Sequence, residues 1–249
     1  MEEKKKSWVN VLILGVCIVL SCGLIAFGLS HFRSESSHVI SATGSASVDF
    51  EADIIIWRGS FSSVAYTSQE AYSNIKKDAD YVKQYLLDNN VDESEIVFSS
   101  VDIRQTYRDL YDDNGNYIGS EADGYKLTQS VTVSSNNIDN IEKVSRDIST
   151  LLDKGVELTS DYPEYYYSDL DALKLDLIDK ASVNAKERID IVAKNSGARL
   201  GKLKNSSLGV FQITAKNSGT SSYSYDGAFD TSSRYKTATI TVRLEYDLK

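Results

Sequence analysis

The chain has 249 residues and a formal charge of -9, with 36 acidic against 27 basic side chains, a balance that repels phosphate backbones and excludes nucleic acid as a partner. Its two cysteines, Cys17 and Cys22, and its two histidines, His31 and His38, all fall within the first 38 residues. The remainder therefore has no thiolate nucleophile, disulfide, cysteine zinc site or packed imidazole for a Ser-His-Asp triad.

Trp8 to Phe32 is an uncharged, largely apolar run. At roughly 1.5 Å per residue it is long enough, as a helix, to cross a hydrocarbon core about 30 Å thick. Lys4, Lys5 and Lys6 precede it and Arg33 is the only base close behind, so the positive-inside bias places the N-terminus in the cytoplasm. This predicts a cytoplasmic tail over 1–7, one N-terminal transmembrane helix over 8–32, a Ser-rich tether over 33–38 and an extracytoplasmic domain over 39–249. The run is longer than the roughly 7 to 15 apolar residues of a cleaved signal. Val19, Leu20 and Ser21 before Cys22 look like a lipobox, which leaves lipidation of Cys22 as a competing reading, although Gly23 to Leu29 stays apolar.

From Val39, apolar Ile40, Ala42, Gly44, Ala46 and Val48 alternate with Ser and Thr, the pattern of a strand with one buried face. A turn over 49–53 leads to a second strand, from Ile54 to about Tyr66, which starts apolar on both sides and reads as central in its sheet. Thr67 with Glu70 forms a capping box for a helix carrying Ile75, Ala79, Val82 and Leu86 inward and ending near Asn89 and Asn90. Alternation resumes at Ile96, Phe98, Val101 and Ile103. A polar, Tyr-bearing segment from Tyr107 to Gly124 follows, with hairpin-turn residues Asp113, Asn114 and Gly115 at its centre. Tyr125, Leu127, Val131 and Val133 form the next strand.

Asn136 or Asn137 can cap a second helix with Ile138, Ile141, Val144, Ile148 and Leu151 on one side, stopped by Gly155. Val156 to Tyr167 reads as extended, and a long helix over 168–195 turns Leu173, Leu177, Ala181, Ala185, Ile189 and Val192 inward. Leu203 to Thr214 is extended again, and Lys216 to Ser233, rich in Gly, Ser and Tyr without periodicity, predicts a mobile loop. The chain closes on a strand with Ala238, Ile240, Val242, Leu244 and Tyr246 on one face. The order of elements suggests α+β, with helices packed on largely antiparallel sheets.

Local patterns along Val39 to Lys249 resemble the SIMPL-domain family, whose opening reads roughly I-x-V-x-G-x-G-x-V-x-x-x-P-D. Ile40, Gly44, Val48 and Asp53 match it, while Ala46 replaces the second glycine and Ala52 the proline. The strand from Gly124 and Tyr125 through Val131, Thr132 and Val133, the Ala181, Ala185 and Ala193 helix leading to Gly197, Leu200 and Gly201, and the closing strand also look like the family. The resemblance implies an extracytoplasmic domain of the bacterial envelope, linked in some members to oxidative stress and in others to ring-like assemblies. It carries over no catalytic residues.

Tyr162, Tyr165, Tyr166 and Tyr167 form the candidate interface, since tyrosine supplies large contact area at low entropy cost; Tyr223 and Tyr225 extend that reading to the late loop. Asp112, Asn114, Gly115 and Glu121 occupy positions three, five, six and twelve of an EF-hand calcium loop, but Leu110 stands at position one and the flanks read as strands. Asp169 with Asp171 and Asp176 with Asp179 sit at spacings typical of a solvated helix surface. The expectation is a membrane-anchored, non-catalytic binding or assembly module, with no metal or cofactor, meeting a second copy or an envelope protein. A carboxylate-dependent wall hydrolase and a calcium-tuned adhesion module are the alternatives.

Overall fold

A computed structural model describes residues 15–27, 39–219 and 222–249. The predicted tail, both ends of the predicted anchor (8–14 and 28–32) and the tether with His38 lie outside these residues. Residues 15–27, here α1, are helical, with Val19, Leu20 and Leu24 exposed; among the described residues, no helix is long and apolar enough to cross a membrane. The rest is a mixed α+β fold with two sheets and three further α-helices among the described residues.

Two compact units divide the chain. The larger covers residues 44–184 and 208–242, and its first sheet is centred on β2 (Ile54–Ala65). One edge of β2 pairs antiparallel with β5 (Tyr117–Ser135) from Ile55↔Ser135 to Ala65↔Tyr125; the other edge takes β6 (Leu158–Ser160) and β7 (Glu164–Tyr166). The free side of β5 carries β3 (Ile96–Phe98) and β4 (Asp102–Tyr111). Strands flank both edges of β2, as the central reading requires; Ile55 and Trp57 on one face are wholly buried, and Ile54 and Ile56 on the other are partly buried.

Two helices cover that sheet by packing on β2 and β5. The first, α2 (Ser68–Asp88), starts where Thr67 Oγ1 accepts from Glu70 N at 3.2 Å, and buries Ala71, Ile75, Val82 and Leu86. In α3 (Ile138–Asp147) the Asn137 side chain caps the first turn, and the helix tightens into a 3-10 segment, Ile148–Lys154, that ends at Gly155. Ile141, Ile148 and Leu151 join Ile55, Trp57, Leu127 and Val131 in one core, each fully buried aliphatic side chain stabilising by about 1.5–3 kcal/mol. The one indole inside this core is satisfied: Trp57 Nε1 donates to Ser160 Oγ at 2.9 Å, and Ser160 Oγ donates to Ser145 O at 3.1 Å.

The second sheet runs in the order β1 (Val39–Glu51), β11 (Tyr235–Leu248), β9 (Gln212–Ala215), β10 (Ala228–Phe229). Lys236, Ala238, Ile240 and Val242 of β11 are buried at every second position, as the alternation predicts. The long helix α4 (Leu170–Ser196) buries Leu177 and Ala181, and Asn184 Oδ1 accepts from Ser45 N of β1. The smaller unit contains residues 185–207 and 243–249 among others. There α4 buries Ala185, Ile189 and Ala193, Arg188 donates to Thr43 O at 2.8 Å, and β8 (Leu200–Leu208) pairs with β11, where Lys204 Nζ lies 4.0 Å from Asp247 Oδ1.

Two expectations change and a third is met. Val192 is 52% exposed and Ala193 takes its place inward, because the buried row of α4 steps by four residues from Leu177. The Tyr107 to Gly124 segment is strand on both sides of its turn, as the reading of its flanks expects. The late loop is not structureless throughout: β10 pairs parallel with β9, and the Gln212 side chain pins the loop by donating to Ser224 O at 2.8 Å and accepting from Ser224 N and Ala228 N at 3.0 Å.

Candidate functional site

β5 is longer than β2, and this builds an exposed feature of the larger unit. Its residues 125–135 pair with β2, while residues 117–124 pair only with β4, forming a two-stranded ribbon past the end of β2. Two bulges shape it. Thr106 lies opposite Gly124 and Tyr107 opposite Ala122, so Asp123 is extra; Leu110 lies opposite Gly119 and Tyr111 opposite Tyr117, so Ile118 is extra. Both extra residues belong to β5, beside glycines with positive φ, Gly124 at 127° and Gly119 at 147°. Strand β4 stays regular.

With solvent on both faces, the ribbon buries little of what it carries. Tyr107, Tyr111, Tyr117 and Ile118 are all more than half exposed, as is Ile103 just before the ribbon on β4. Tyr111 and Tyr117 meet edge to face at 6.0 Å near the tip, and Arg108 pairs with Glu121 across the strands. At the turn, Asp112 Oδ1 accepts from Asn114 N and Asn116 N at 2.9 and 2.8 Å, and these backbone bonds hold its carboxyl below the usual carboxylate range. The carboxylate assigned to calcium position three thus already accepts hydrogen bonds from its own turn. Among the described residues, no group of three or more His, Cys, Asp or Glu side chains is arranged to hold a metal ion.

The four candidate tyrosines do not form one patch. Tyr162 is 96% exposed, between β6 and β7. Tyr165 faces the core, and its hydroxyl donates to Glu142 Oε1 at 2.9 Å; burial, then that carboxylate, pushes its pKa up to about 12. Tyr166 donates to Glu164 Oε2 and lies 6.4 Å from the Phe229 ring, while Tyr167 lies 5.1 Å from Phe50. Three of the four thus tie segments of the larger unit together. Beside them is a cluster that no sequence pattern marks: Arg234 Nε contacts Glu51 Oε1 at 2.7 Å, its Nη1 contacts Asp139 Oδ1 at 2.5 Å, and its carbonyl accepts from Ala52 N. These partners are separated along the chain by more than 80 residues, and opposite charges at such distances leave no periodic trace.

Two of the concave regions among the described residues bear on the candidate side chains. A groove of about 540 Å³ is lined by Leu208, Val210, Tyr223, Tyr225, Asp226 and Thr241, which places the late-loop tyrosines on a recess. A polar cleft of about 470 Å³ lies among Ser62, Asn74, Lys77, Asp78, Tyr81 and Glu157, where burial pushes the Asp78 carboxyl up against the opposing effect of Lys77. Of the acidic pairs on α4, Asp176 is held by Lys180 at 2.6 Å and Asp171 lies 3.9 Å from Lys174, contacts of a solvated helix face.

No curated protein matches the chain. The family model described as SIMPL, a protein of unknown function (DUF541), matches residues 40–246, from within β1 to within β11. That span takes in both sheets, all three long helices of the domain and the ribbon, and on it the chain belongs to the SIMPL family.

Proposed function

We propose that this chain is a single-pass envelope protein, N-terminus in the cytoplasm, whose extracytoplasmic SIMPL domain works by binding and assembly with protein partners rather than by catalysis. The ribbon carries the reading: monomeric domains rarely leave a run of aromatic and aliphatic side chains exposed on a protruding strand pair without a partner for it. The apolar run Trp8 to Phe32, whose described middle is helical with Val19, Leu20 and Leu24 outward, supports the anchor. Ion pairs such as Arg58 with Glu164 and Arg234 with Asp139 engage many carboxylates structurally, which favours a binding role for the surfaces.

The test is fractionation of cells producing the full chain, protease treatment of intact cells, and light scattering of the detergent-solubilised protein. Membrane recovery, digestion of the C-terminal domain from outside and a defined multimer are expected. A variant in which residues 107–123 are replaced by a two-residue Asn-Gly turn should stay folded and lose the multimer. A monomer at every concentration with no captured envelope protein refutes the assembly reading. The Asp78 cleft favours one second reading, a carboxylate-dependent hydrolase, in which Asp78→Asn abolishes release of sugar or peptide from wall polymer.

A further inference from the structure

The free edge of β4 shows how a second copy can be held. Among the described residues β4 pairs only with β5, and since both bulges lie on β5, the ten residues from Asp102 to Tyr111 present a regular edge with no proline to interrupt it. Edges of this length are usually blunted by proline, by like charges or by a cover. Here the charges are mixed in sign, and their order has a symmetry.

An antiparallel pair of identical edges, related by a two-fold axis perpendicular to the sheet, keeps each residue on its own face. It therefore sets even-numbered residues opposite even and odd opposite odd. Centred on Gln105, this arrangement sets Asp102 opposite Arg108 twice, Ile103 opposite Tyr107 twice, Arg104 opposite Thr106 twice, and Gln105 opposite itself. Moving the centre to Arg104 places that arginine against its own copy. A centre on Thr106 sets Arg104 against Arg108, and one on Tyr107 sets Asp102 against Asp112. A centre on Ile103 or Leu110 also joins opposite charges but matches only three residues of β4 with β4; among the registers that match at least five, only the Gln105 register joins opposite charges and brings no like charges together.

We infer that β4 pairs with β4 of a second copy of this chain in the register centred on Gln105, so that the first sheets of the two copies join through strands in the order β5, β4, β4, β5. The pairing covers Ile103 and Tyr107, which are 55% and 62% exposed in the single chain. Arg108 already contacts Glu121 across the ribbon, so Asp102 of the second copy extends that pair into a Glu121, Arg108, Asp102 row on one face. The inference rests on the assembly reading and narrows it to one surface and one occupant.

A single cysteine on the axis tests it. In the full chain in detergent, with Cys17→Ser and Cys22→Ser, Gln105→Cys should form a disulfide dimer on mild oxidation, because directly opposed residues in an antiparallel pair lie within about 4.5–5.5 Å between Cα atoms. Asp109→Cys should stay monomeric on the same non-reducing gel. Independently, Asp102→Arg and Arg108→Asp should each weaken association at least tenfold in light scattering; circular dichroism checks that each is folded. A multimer that Gln105→Cys does not cross-link overturns this inference and leaves the assembly reading standing, whereas a wild-type monomer overturns both. Equal cross-linking by Asp109→Cys also overturns it.

Discussion

Gly124→Ala tests whether the ribbon's departure from the sheet depends on one backbone position. Gly124 has φ of 127°, and a Cβ added there meets Ala65 O at 2.5 Å, inside the 3.0 Å below which real Cβ atoms are essentially never found. The atom in the way is backbone at the end of β2, paired with β5 through Tyr125, so it has little freedom to retreat. Strain at such a φ costs about 1–3 kcal/mol and forced overpacking a further ~1–3 kcal/mol, together about 4 kcal/mol. At about 2–4 °C per kcal/mol for a domain of this size, the melting temperature falls by about 8–16 °C. Gly119→Ala is the internal comparison: φ is 147° and nothing lies within 4 Å of its added Cβ, so only strain remains, about 1–2 kcal/mol. The assay is near-ultraviolet circular dichroism against temperature, which follows the packed side chains and not the anchor helix. Equal melting temperatures for the two variants, or a Gly124→Ala value within 2 °C of the parent, would refute the reasoning.

Replacing Gln212 by Leu leaves Ser224 N, Ser224 O and Ala228 N without their partner, and should cost about 2–3 kcal/mol with faster hydrogen exchange over residues 222–229. Tyr165→Phe removes a buried hydroxyl donated to a carboxylate and should cost about 1–2 kcal/mol in denaturant unfolding, while Tyr162→Ala should stay within about 0.5 kcal/mol of the parent. The hydrogen bond from Arg58, then that from Tyr166, holds the Glu164 carboxyl below its ordinary 4.5, so its contribution is present above that value and lost as pH falls through the lower folded pKa. Asp49 and Glu93 are lowered too, by hydrogen bonds from Thr237 and Lys83 respectively, and the denaturation midpoint should drop steeply below pH 4.5. Glu164→Gln should flatten part of that drop, and an unchanged slope would count against it.

Where burial on one face decides a segment, the sequence is explicit. Even-numbered residues of β1, the alternate residues of β11 and the Ile138 to Leu151 stripe all turn inward as their spacing requires, and Thr67 caps its helix from one hydroxyl. The ribbon was only half legible. Its turn residues and strand flanks are plain, yet Tyr107 to Gly124 is solvated on both faces, so no alternation marks the register or the bulges, and the pairing that sets them is a property of the backbone. Consecutive tyrosines at 165, 166 and 167 cannot share one face; only the fold reveals that Glu142, Glu164 and Phe50 receive them, leaving Tyr162 outside. The pinned loop was hidden for a related reason, since one buried amide, Gln212, does what a hydrophobic stripe does elsewhere.

The domain's first strand has its last strand as neighbour, with Thr237 Oγ1 donating to Asp49 Oδ1 at 2.7 Å and Ser47 meeting Thr239 at 3.0 Å. The chain must therefore be synthesised through β11 before β1 finds its mate. A partially made chain can close the sheet around β2 and still leave β1 unmatched, with its Ser- and Thr-studded backbone open to stray pairing. Stalled or C-terminally clipped products should thus be far more vulnerable to proteolysis and clumping than their length alone suggests, and folding should wait on that final join.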